Sequence, residues 1–342
     1  MGIHNLSKVI KTYAPGGIKT LQNEDMTGKV LALDTSNILY QFLIAVKDHI
    51  DDFKSPDGHI TTHIHAILMK TSNLVKRGIK PIYVFDGAAP SIKQHILDMR
   101  KSLKEKAIIK LQDETNEDEQ LKLKKRSVYI TKEQIKECKE LLTLMGIPYV
   151  EAPEEADPQC VYLVNKKIAD GVGSEDMDIL TFGTKKLYRN ISSTGKVVEY
   201  DLDIILKELE MTHLQFIDMC ILLGCDYCPT IEGVGMKRAH DLIIEYGSIE
   251  DIIKNSKYKP SPEFLERYPL ARKYFRKAPV LAVTKEHLKI KEPKVKELKE
   301  LLRIKYGYSD KNIHKHINML KCNNDITIKQ CKFHDDEDMF SD

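Results

Sequence analysis

No stretch of eighteen apolar residues occurs in the 342-residue chain, so no segment is expected to span a membrane. The N-terminal MGIHNLSKVI has no apolar h-region, and a secretory signal is not expected. Its Met-Gly start lacks the Ser or Thr of a myristoylation site, because Leu6 stands there. Cysteine offers no disulfide framework: seven thiols, an odd number, are scattered without an export signal, which points to a reducing, intracellular compartment. Cys225-Asp-Tyr-Cys228 is a lone CxxC. A zinc site needs a second pair of suitable spacing, so buried thiols are the simpler reading. A large charge of one sign is missing too, the formal net charge being +2. Internal repeats are absent. Arginine is scarce, 9 residues against 44 lysines, which favours contact with phosphates over bidentate reading of base edges.

What is present is an ordinary globular composition, 42% hydrophobic and 30% charged, long enough for one large α/β domain or two small ones. The small net charge hides local imbalance. Residues 93–110 carry six basic and two acidic side chains, 122–132 five basic and no acidic, and 257–277 seven basic and two acidic. Between the first two lie five acids within 113–119. One basic segment is usually a solvated helix face, but three in a nearly neutral chain point to contact with a polyanion.

Apolar runs ending in an acid recur. KVLALD (29–34) precedes a helical pattern from Ser36 to about Lys47, and KPIYVFD (80–86) follows an amphipathic helix over 61–77. A charged helical stretch covers about 91–130, interrupted by the acidic segment. Thr131 or Lys132 opens a helix that ends at Gly146. IPYV (147–150) reads as a strand, 154–167 as a helix that tolerates Pro158 in its first turn, and 169–178 as a weak strand ending in acids. KLYRNI and KVVEY suggest a hairpin turning at Ser-Thr-Gly195. Thr212 caps a helix over 213–223, two helices flank Gly233-Val-Gly235, and 296–306 and 309–320 look like short helices. The alternation of strands and helices predicts a parallel sheet covered on both faces.

In such a sheet the C-terminal strand ends share one edge, where ligands bind. Asp34, Asp86, Asp176 and Asp178 would converge there, joined by Glu155 and Asp157 at the start of a helix, while Asp226 follows an apolar helix within LLGCDYC. A single strand-end Asp is commonly a turn or cap residue. The set is harder to explain that way, because clustered carboxylates repel unless hard cations neutralise them. Oxygen ligands suit Mg²⁺ or Mn²⁺, and two such ions about 3.5–4 Å apart serve both oxygens of a phosphodiester displacement. Glu175-Asp-Met-Asp178 could suggest a phosphatase of the haloacid dehalogenase type, but the Thr of that motif is replaced by Leu180. Gly233-Val-Gly235-Met-Lys237-Arg238 is not a dinucleotide fingerprint, since no strand precedes it and the third glycine is missing. It is either a tight turn or a backbone cradle for phosphate, with Lys237 and Arg238 adding charge.

These segments together resemble the flap endonucleases of the 5′-nuclease superfamily. The resemblance runs from Met1 to about residue 320 through MGIHNLSKVI, YQFLIAV (40–46), GIKPIYVFDG (78–87), LLTLMGIPYVEAPEEAD (141–157), EDMDILTFG (175–183), CILLGCDYC (220–228) and GVGMKRA (233–239). The short spacer between Asp86 and Glu155 is similar to flap endonucleases rather than to excision-repair relatives with long inserts. The resemblance implies seven metal-binding acids, Asp34, Asp86, Glu155, Asp157, Asp176, Asp178 and Asp226, with Asp34, Asp86 and Asp178 at the catalytic centre. Asp157, followed by Pro158, stands where the family has Glu and has a shorter reach. Lys93 and Arg100 match basic residues entering from the base of a helical arch (91–132), Tyr40 an aromatic that stacks near the cleaved nucleotide, and Gly233, Gly235, Lys237 and Arg238 a DNA-backbone clamp. Thr230, Ile231 and Val234 match a segment that binds a monovalent cation, K⁺, although Glu232 replaces a frequent basic residue. The sliding-clamp box is degenerate: Gln330-Cys-Lys-Phe333 runs into Asp336 and Glu337, Phe340 is too far along, and the basic tail is missing. Clamp binding and nuclear import through that tail therefore lose their sequence basis.

The implied fold is PIN-like α/β, a mostly parallel central sheet with helices on both faces, a helical arch and a helix-two-turn-helix element near 213–245. The implied organisation is an N-terminal nuclease region (1–107), an internal nuclease region (133–255) and a C-terminal helical region with its tail (256–342). The expected activity is two-metal hydrolysis of DNA at a 5′ flap with 5′–3′ exonuclease activity, using Mg²⁺ with Mn²⁺ able to substitute, in a monomeric nuclear enzyme of replication and repair. The rivals are a 5′-exonuclease or gap nuclease with RNA activity, and a junction-binding protein without catalysis.

Overall fold

The computed structural model describes residues 2–48, 52–191 and 196–321. The hairpin turn at Ser-Thr-Gly195 and the degenerate box with Gln330, Phe333, Asp336, Glu337 and Phe340 lie outside them. In chain order the elements are helix α1 (Leu6–Tyr13), strand β1 (Ile18–Leu21), β2 (Val30–Asp34), α2 (Thr35–Val46), α3 (Thr62–Lys76), β3 (Lys80–Phe85), α4 (Gln94–Asp113), α5 (Glu117–Ser127) and α6 (Lys132–Leu144). They continue with β4 (Tyr149–Glu151), α7 (Ala156–Asn165), β5 (Gly171–Gly173), α8 (Asp178–Thr181), β6 (Lys186–Arg189), β7 (Val197–Asp201), α9 (Leu202–Glu208), α10 (His213–Leu223), α11 (Met236–Tyr246), α12 (Ile249–Asn255), α13 (Pro262–Lys277), α14 (Val295–Glu300) and α15 (Asp310–Lys321).

The strands form one sheet in the order β1-β7-β6-β5-β2-β3-β4. β6, β5, β2, β3 and β4 pair in parallel, while β7 and then β1 add antiparallel. The order reverses direction at β2, which is flanked by β3 and β5. An open parallel sheet forms its ligand crevice at such a switch point, beyond the strand C-termini. β1 and α1 are additions to the sequence reading, whose assignments begin at residue 29.

Side chains of a strand alternate between faces, and the core follows that rule. Leu31, Leu33, Tyr83 and Phe85 point into a layer with α2, α3, α6, α14 and α15. Ala32, Ile82 and Val84 point into the opposite layer, with α1, α7 and α10–α13. The sheet draws strands from both the 1–107 and the 133–255 stretches, so neither buries its core alone. Among the described residues no helix is long and apolar enough to cross a membrane.

The acidic segment between the basic runs has a local function. α4 ends at Asp113, and Asn116 caps α5 by accepting the Glu119 N–H at 3.1 Å. Glu117, Asp118 and Glu119 occupy the first turn of α5, and Lys124, Lys125 and Arg126 its last, both signs matching the helix dipole. Two elements differ from expectation. The strand foreseen over 169–178 is only Gly171–Gly173, so Asp176 lies in the following turn and Asp178 opens α8. The other is the sixteen-residue α13, in a stretch to which the sequence assigns no element: Pro262 sits at the helix start, where its missing N–H costs nothing, and the helix continues through Pro269.

One buried ion pair ties α13 to the core. Arg272 donates to both oxygens of Asp218 on α10, at 2.6 and 2.7 Å, and to Glu250 on α12. The Asp218 side chain is only 2% exposed. Arg272→Ala should lower unfolding stability by about 3–5 kcal/mol by leaving that carboxylate unpaired. Replacing both partners with apolar residues should recover most of the loss. Chemical denaturation of the single and double variants checks this, and equal midpoints for wild type and Arg272→Ala would refute it.

Candidate active site

All seven acids singled out by sequence lie around the C-terminal edge of the sheet. Asp34 ends β2 and caps α2, its Oδ1 accepting the Asn37 N–H at 3.2 Å. Asp86 follows β3. Its Oδ1 accepts the Ala156 N–H at 2.8 Å and its Oδ2 the Ser36 hydroxyl at 2.5 Å. Glu155 occupies the N-cap position of α7 without a side-chain capping bond, and Asp157 stands in the first turn. Pro158 is the third helical residue, where no intrahelical N–H bond is lost. Asp176 accepts the backbone N–H of Asp178 at 3.1 Å. Asp226 lies beyond α10, in the turn bounded by the Cys225–Cys228 bridge, whose two thiols are free.

The acids perturb one another. Burial, then Asp86 and Asp176, raises Asp34 well above the ordinary carboxyl range. Burial is again first for Asp157, followed by Asp34, Asp176, Glu155 and Asp178. Asp178 is raised by burial, then by Asp176 and Asp226. Burial also raises Asp226, but Lys93 and then Arg100 outweigh it and hold this carboxyl low. Lys93, in the turn before α4, bonds Glu155 and lies 3.2 Å from Asp226. Arg100, two turns along, donates to Asp226 at 2.6 Å. Burial lowers Lys93, yet Glu155 and Asp226 reverse this and keep it an ammonium.

Several contacts were not foreseen. The buried Tyr227 hydroxyl donates to Glu155. Its signal was present, since it adjoins Asp226 in CILLGCDYC. Ser36 holds Asp86, and only the fold reveals that. The N-terminal segment packs directly on the acids: the Ile3 N–H donates to Asp178 Oδ1 at 2.5 Å. Gly2 has φ +95°, and a Cβ there would fall 2.1 Å from Asp176 Oδ1. The positive φ and this close approach together account for glycine at the second position.

Tyr40 lies half-buried on α2, its hydroxyl raised by burial and then by Asp86. Away from the acids, Gly233 turns the chain at φ +78° and Gly235 precedes α11. Lys237 is exposed. Arg238 is exposed too, donating to the Gly233 carbonyl at 2.6 Å and lying over the Tyr258 ring. In the neighbouring turn, Thr230 is exposed, Ile231 and Val234 are buried, and the Ile231 carbonyl accepts the Val234 N–H at 3.0 Å.

Among the described residues no three His, Cys, Asp or Glu side chains stand at metal-ligating geometry. The donor set nevertheless fits hard divalent cations. It is all oxygen, three members are raised by burial and mutual repulsion, and Asp157 Oδ1 is buried without a hydrogen-bond partner. A cation shared by these carboxylates removes the repulsion that the protein alone only partly offsets.

Family models match two stretches of the chain: XPG N-terminal domain over residues 1–107 and XPG I-region over 146–226. The chain is 40% identical over 343 residues to Flap endonuclease 1 of Plasmodium yoelii yoelii, covering 94% of this chain and 71% of that protein. It is 41% identical over 323 residues to Flap endonuclease 1 of Xiphophorus maculatus, covering 92% and 84%. Among solved structures, flap endonuclease-1 from Methanococcus jannaschii superposes with TM-score 0.71 at 29% identity, covering 92% and 98%. The catalytic core of Rad2 in complex with DNA substrate shares the fold, with TM-score 0.72 at 24% identity over 93% and 100%.

The raised carboxyls set a pH dependence. A carboxyl whose pKa is higher folded than unfolded contributes stability below its unfolded value and loses it as pH rises through the folded value. Without divalent cations, stability should therefore fall as pH rises from about 4 toward neutrality. Asp157→Asn should raise the metal-free denaturation midpoint at neutral pH, by about 1–3 kcal/mol, and flatten that slope. A lower midpoint for Asp157→Asn would overturn the repulsion argument.

Proposed function

The chain belongs to the flap endonuclease family, and from that premise we propose how its residues divide the work of cleaving DNA. It is a structure-specific 5′-flap endonuclease, a metal-dependent nuclease acting on DNA. The observation that carries the residue assignment is the convergence of Lys93 and Arg100, from the base of the α4–α5 arch, onto carboxylates at the sheet edge.

In this reading Asp34, Asp86, Glu155, Asp157, Asp176, Asp178 and Asp226 hold two divalent cations, Mg²⁺ with Mn²⁺ able to substitute. Bound there, the cations supply Lewis-acid polarisation of the phosphate and neutralise the carboxylates. Lys93 and Arg100 carry fixed positive charge to where the transferring phosphate becomes more negative. Ser36 and Tyr227 orient Asp86 and Glu155, and the Ile3 N–H orients Asp178. Tyr40 offers a ring beside Asp86 for stacking on the terminal base. Water adds to phosphorus as the bond to the 3′ oxygen breaks, leaving the 5′ phosphate on the shortened strand. A paired phosphate reaches the acids only after local unpairing, which costs about a few kcal/mol and favours junctions over continuous duplex.

Gly233, Gly235, Lys237 and Arg238 form the clamp on the duplex backbone, reading shape rather than sequence. Arg238, exposed in the first turn of α11, also braces the loop through the Gly233 carbonyl. K⁺ binding by Thr230, Ile231 and Val234, an accompanying 5′–3′ exonuclease activity, a monomeric state and nuclear residence belong to the same reading and rest on the family alone.

Cleavage of a 5′-flap duplex, a nicked duplex and an RNA-flap duplex tests it. The DNA flap should be cut fastest, and chelation of divalent ions should abolish cleavage. Lys93→Ala and Arg100→Ala should each slow it by about a hundredfold or more. Asp178→Ala should retain DNA binding while losing cleavage, and wild-type rates in that variant would remove the acids from catalysis.

A further inference from the structure

Beside the carboxylate site lies a second concavity that the hydrolysis does not use. It encloses about 450 Å³ between α13 and the turn Ser91–Lys93, a volume in the range of small-ligand sites. One wall is a single face of α13, where Arg267, Leu270, Lys273 and Lys277 recur at helical spacing. Pro90 and Ile92 face them. Lys273 and Lys277 are exposed, and neither has an ion-pair partner among the described residues. Leu270 is 50% exposed. At the base lie the buried Tyr274 hydroxyl and a buried oxygen of Glu154, neither with a close hydrogen-bond partner but each within electrostatic reach of the other, and Glu266 adds one acid to the lining.

The concavity is joined to the acids at three points. Ile92 precedes Lys93, Glu154 precedes Glu155, and the Tyr274 ring lies 5.1 Å from that of Tyr227, whose hydroxyl holds Glu155. Arg267 reinforces the first connection by donating to the Ile92 carbonyl at 3.4 Å. Unpaired cations, an apolar rim and polar groups at the base are the chemistry of an unstacked nucleotide. The cations suit its phosphates, Leu270 and the prolines its base, and Tyr274 and Glu154 its polar edges.

We propose that this concavity receives an unpaired nucleotide of the 5′ strand, beyond the scissile phosphate, and that Lys273 and Lys277 bind the strand's phosphates as it leaves the carboxylate site. The inference rests on the flap-cleaving activity. It adds a track along α13 to the passage through the arch.

The test uses the full chain and the double variant Lys273→Glu/Lys277→Glu, with a long-flap duplex and a nicked duplex lacking any flap. Charge reversal should lower kcat/KM on the long flap by about tenfold, while cleavage at the nick stays within about twofold. Thermal melting of the variant at the wild-type temperature verifies its fold. A photoreactive base placed in the flap should crosslink to residues 265–280 in the wild type and lose that crosslink in the variant. Unchanged flap cleavage, or an equal loss on both substrates, overturns the proposal, the latter indicating contact with the duplex. Failure of the wild type to prefer a flap would instead overturn the substrate reading and is seen before the variant is compared.

Discussion

Carboxylate repulsion at one edge of the sheet is the constraint around which the surrounding elements are arranged. Asp34, Asp157 and Asp178 are driven above the ordinary carboxyl range by burial and by one another. Donors come from distant parts of the chain to offset this. Ile3 supplies a backbone N–H from the N-terminus, Ser36 a hydroxyl from α2, Tyr227 a phenol from the turn after α10, and Lys93 and Arg100 the two cations. The packing of α1 against the α10–α11 layer, and of α13 behind Tyr227, serves to deliver these groups.

The arch is coupled to the same balance. α4 and α5 bury only Ala107 and Leu123, while Met99, Leu103, Ile108 and Ile109 stay exposed. Little apolar burial therefore fixes the arch, and its firmest ties to the nuclease body are ionic, through Lys93 and Arg100 at its base and Lys125 to Asp48 farther along. Segments with few buried contacts open at low free-energy cost. Charge arriving at the acids, whether cation or phosphate, acts on those ionic ties first. Position of the arch and state of the site are thus linked by electrostatics rather than by a packed interface.

The sequence carried much of this because its strongest signals are local. Val30–Asp34 ends in an acid and Lys80–Phe85 is followed by one, Thr212 caps His213–Leu223, and strand polarity suffices to gather Asp34, Asp86 and Glu155. What it could not carry depends on contacts between distant segments. α1 and β1 contribute through Ile3 and through pairing with β7, neither of which has a local signature. The glycine at position 2 has no reason in the sequence until Asp176 is seen where its Cβ would stand. Pro269 hides a helix whose stability comes from Phe264, Tyr274 and Phe275 in the core and from Arg272 on Asp218, not from propensity. The contacts of Arg238 with Tyr258 and Gly233 were hidden for the same kind of reason, since these partners come together only in the fold.

Asp157 shows how one shortened side chain redistributes the burden. A longer acid in this first turn of α7 could extend toward a donor outside its pocket. The aspartate, held against Pro158, keeps Oδ1 enclosed without a hydrogen-bond partner. Asp86, Glu155, Asp178 and Asp226 each accept at least one bond from the protein. A buried, unmatched carboxylate oxygen costs more than a solvated one, and the cost persists until a charge of opposite sign arrives. Nearly every other acid must give up a protein donor to engage a cation, whereas this oxygen gives up nothing. The short Asp therefore exchanges reach for readiness, and the free energy stored in its burial becomes available when a cation neutralises the cluster.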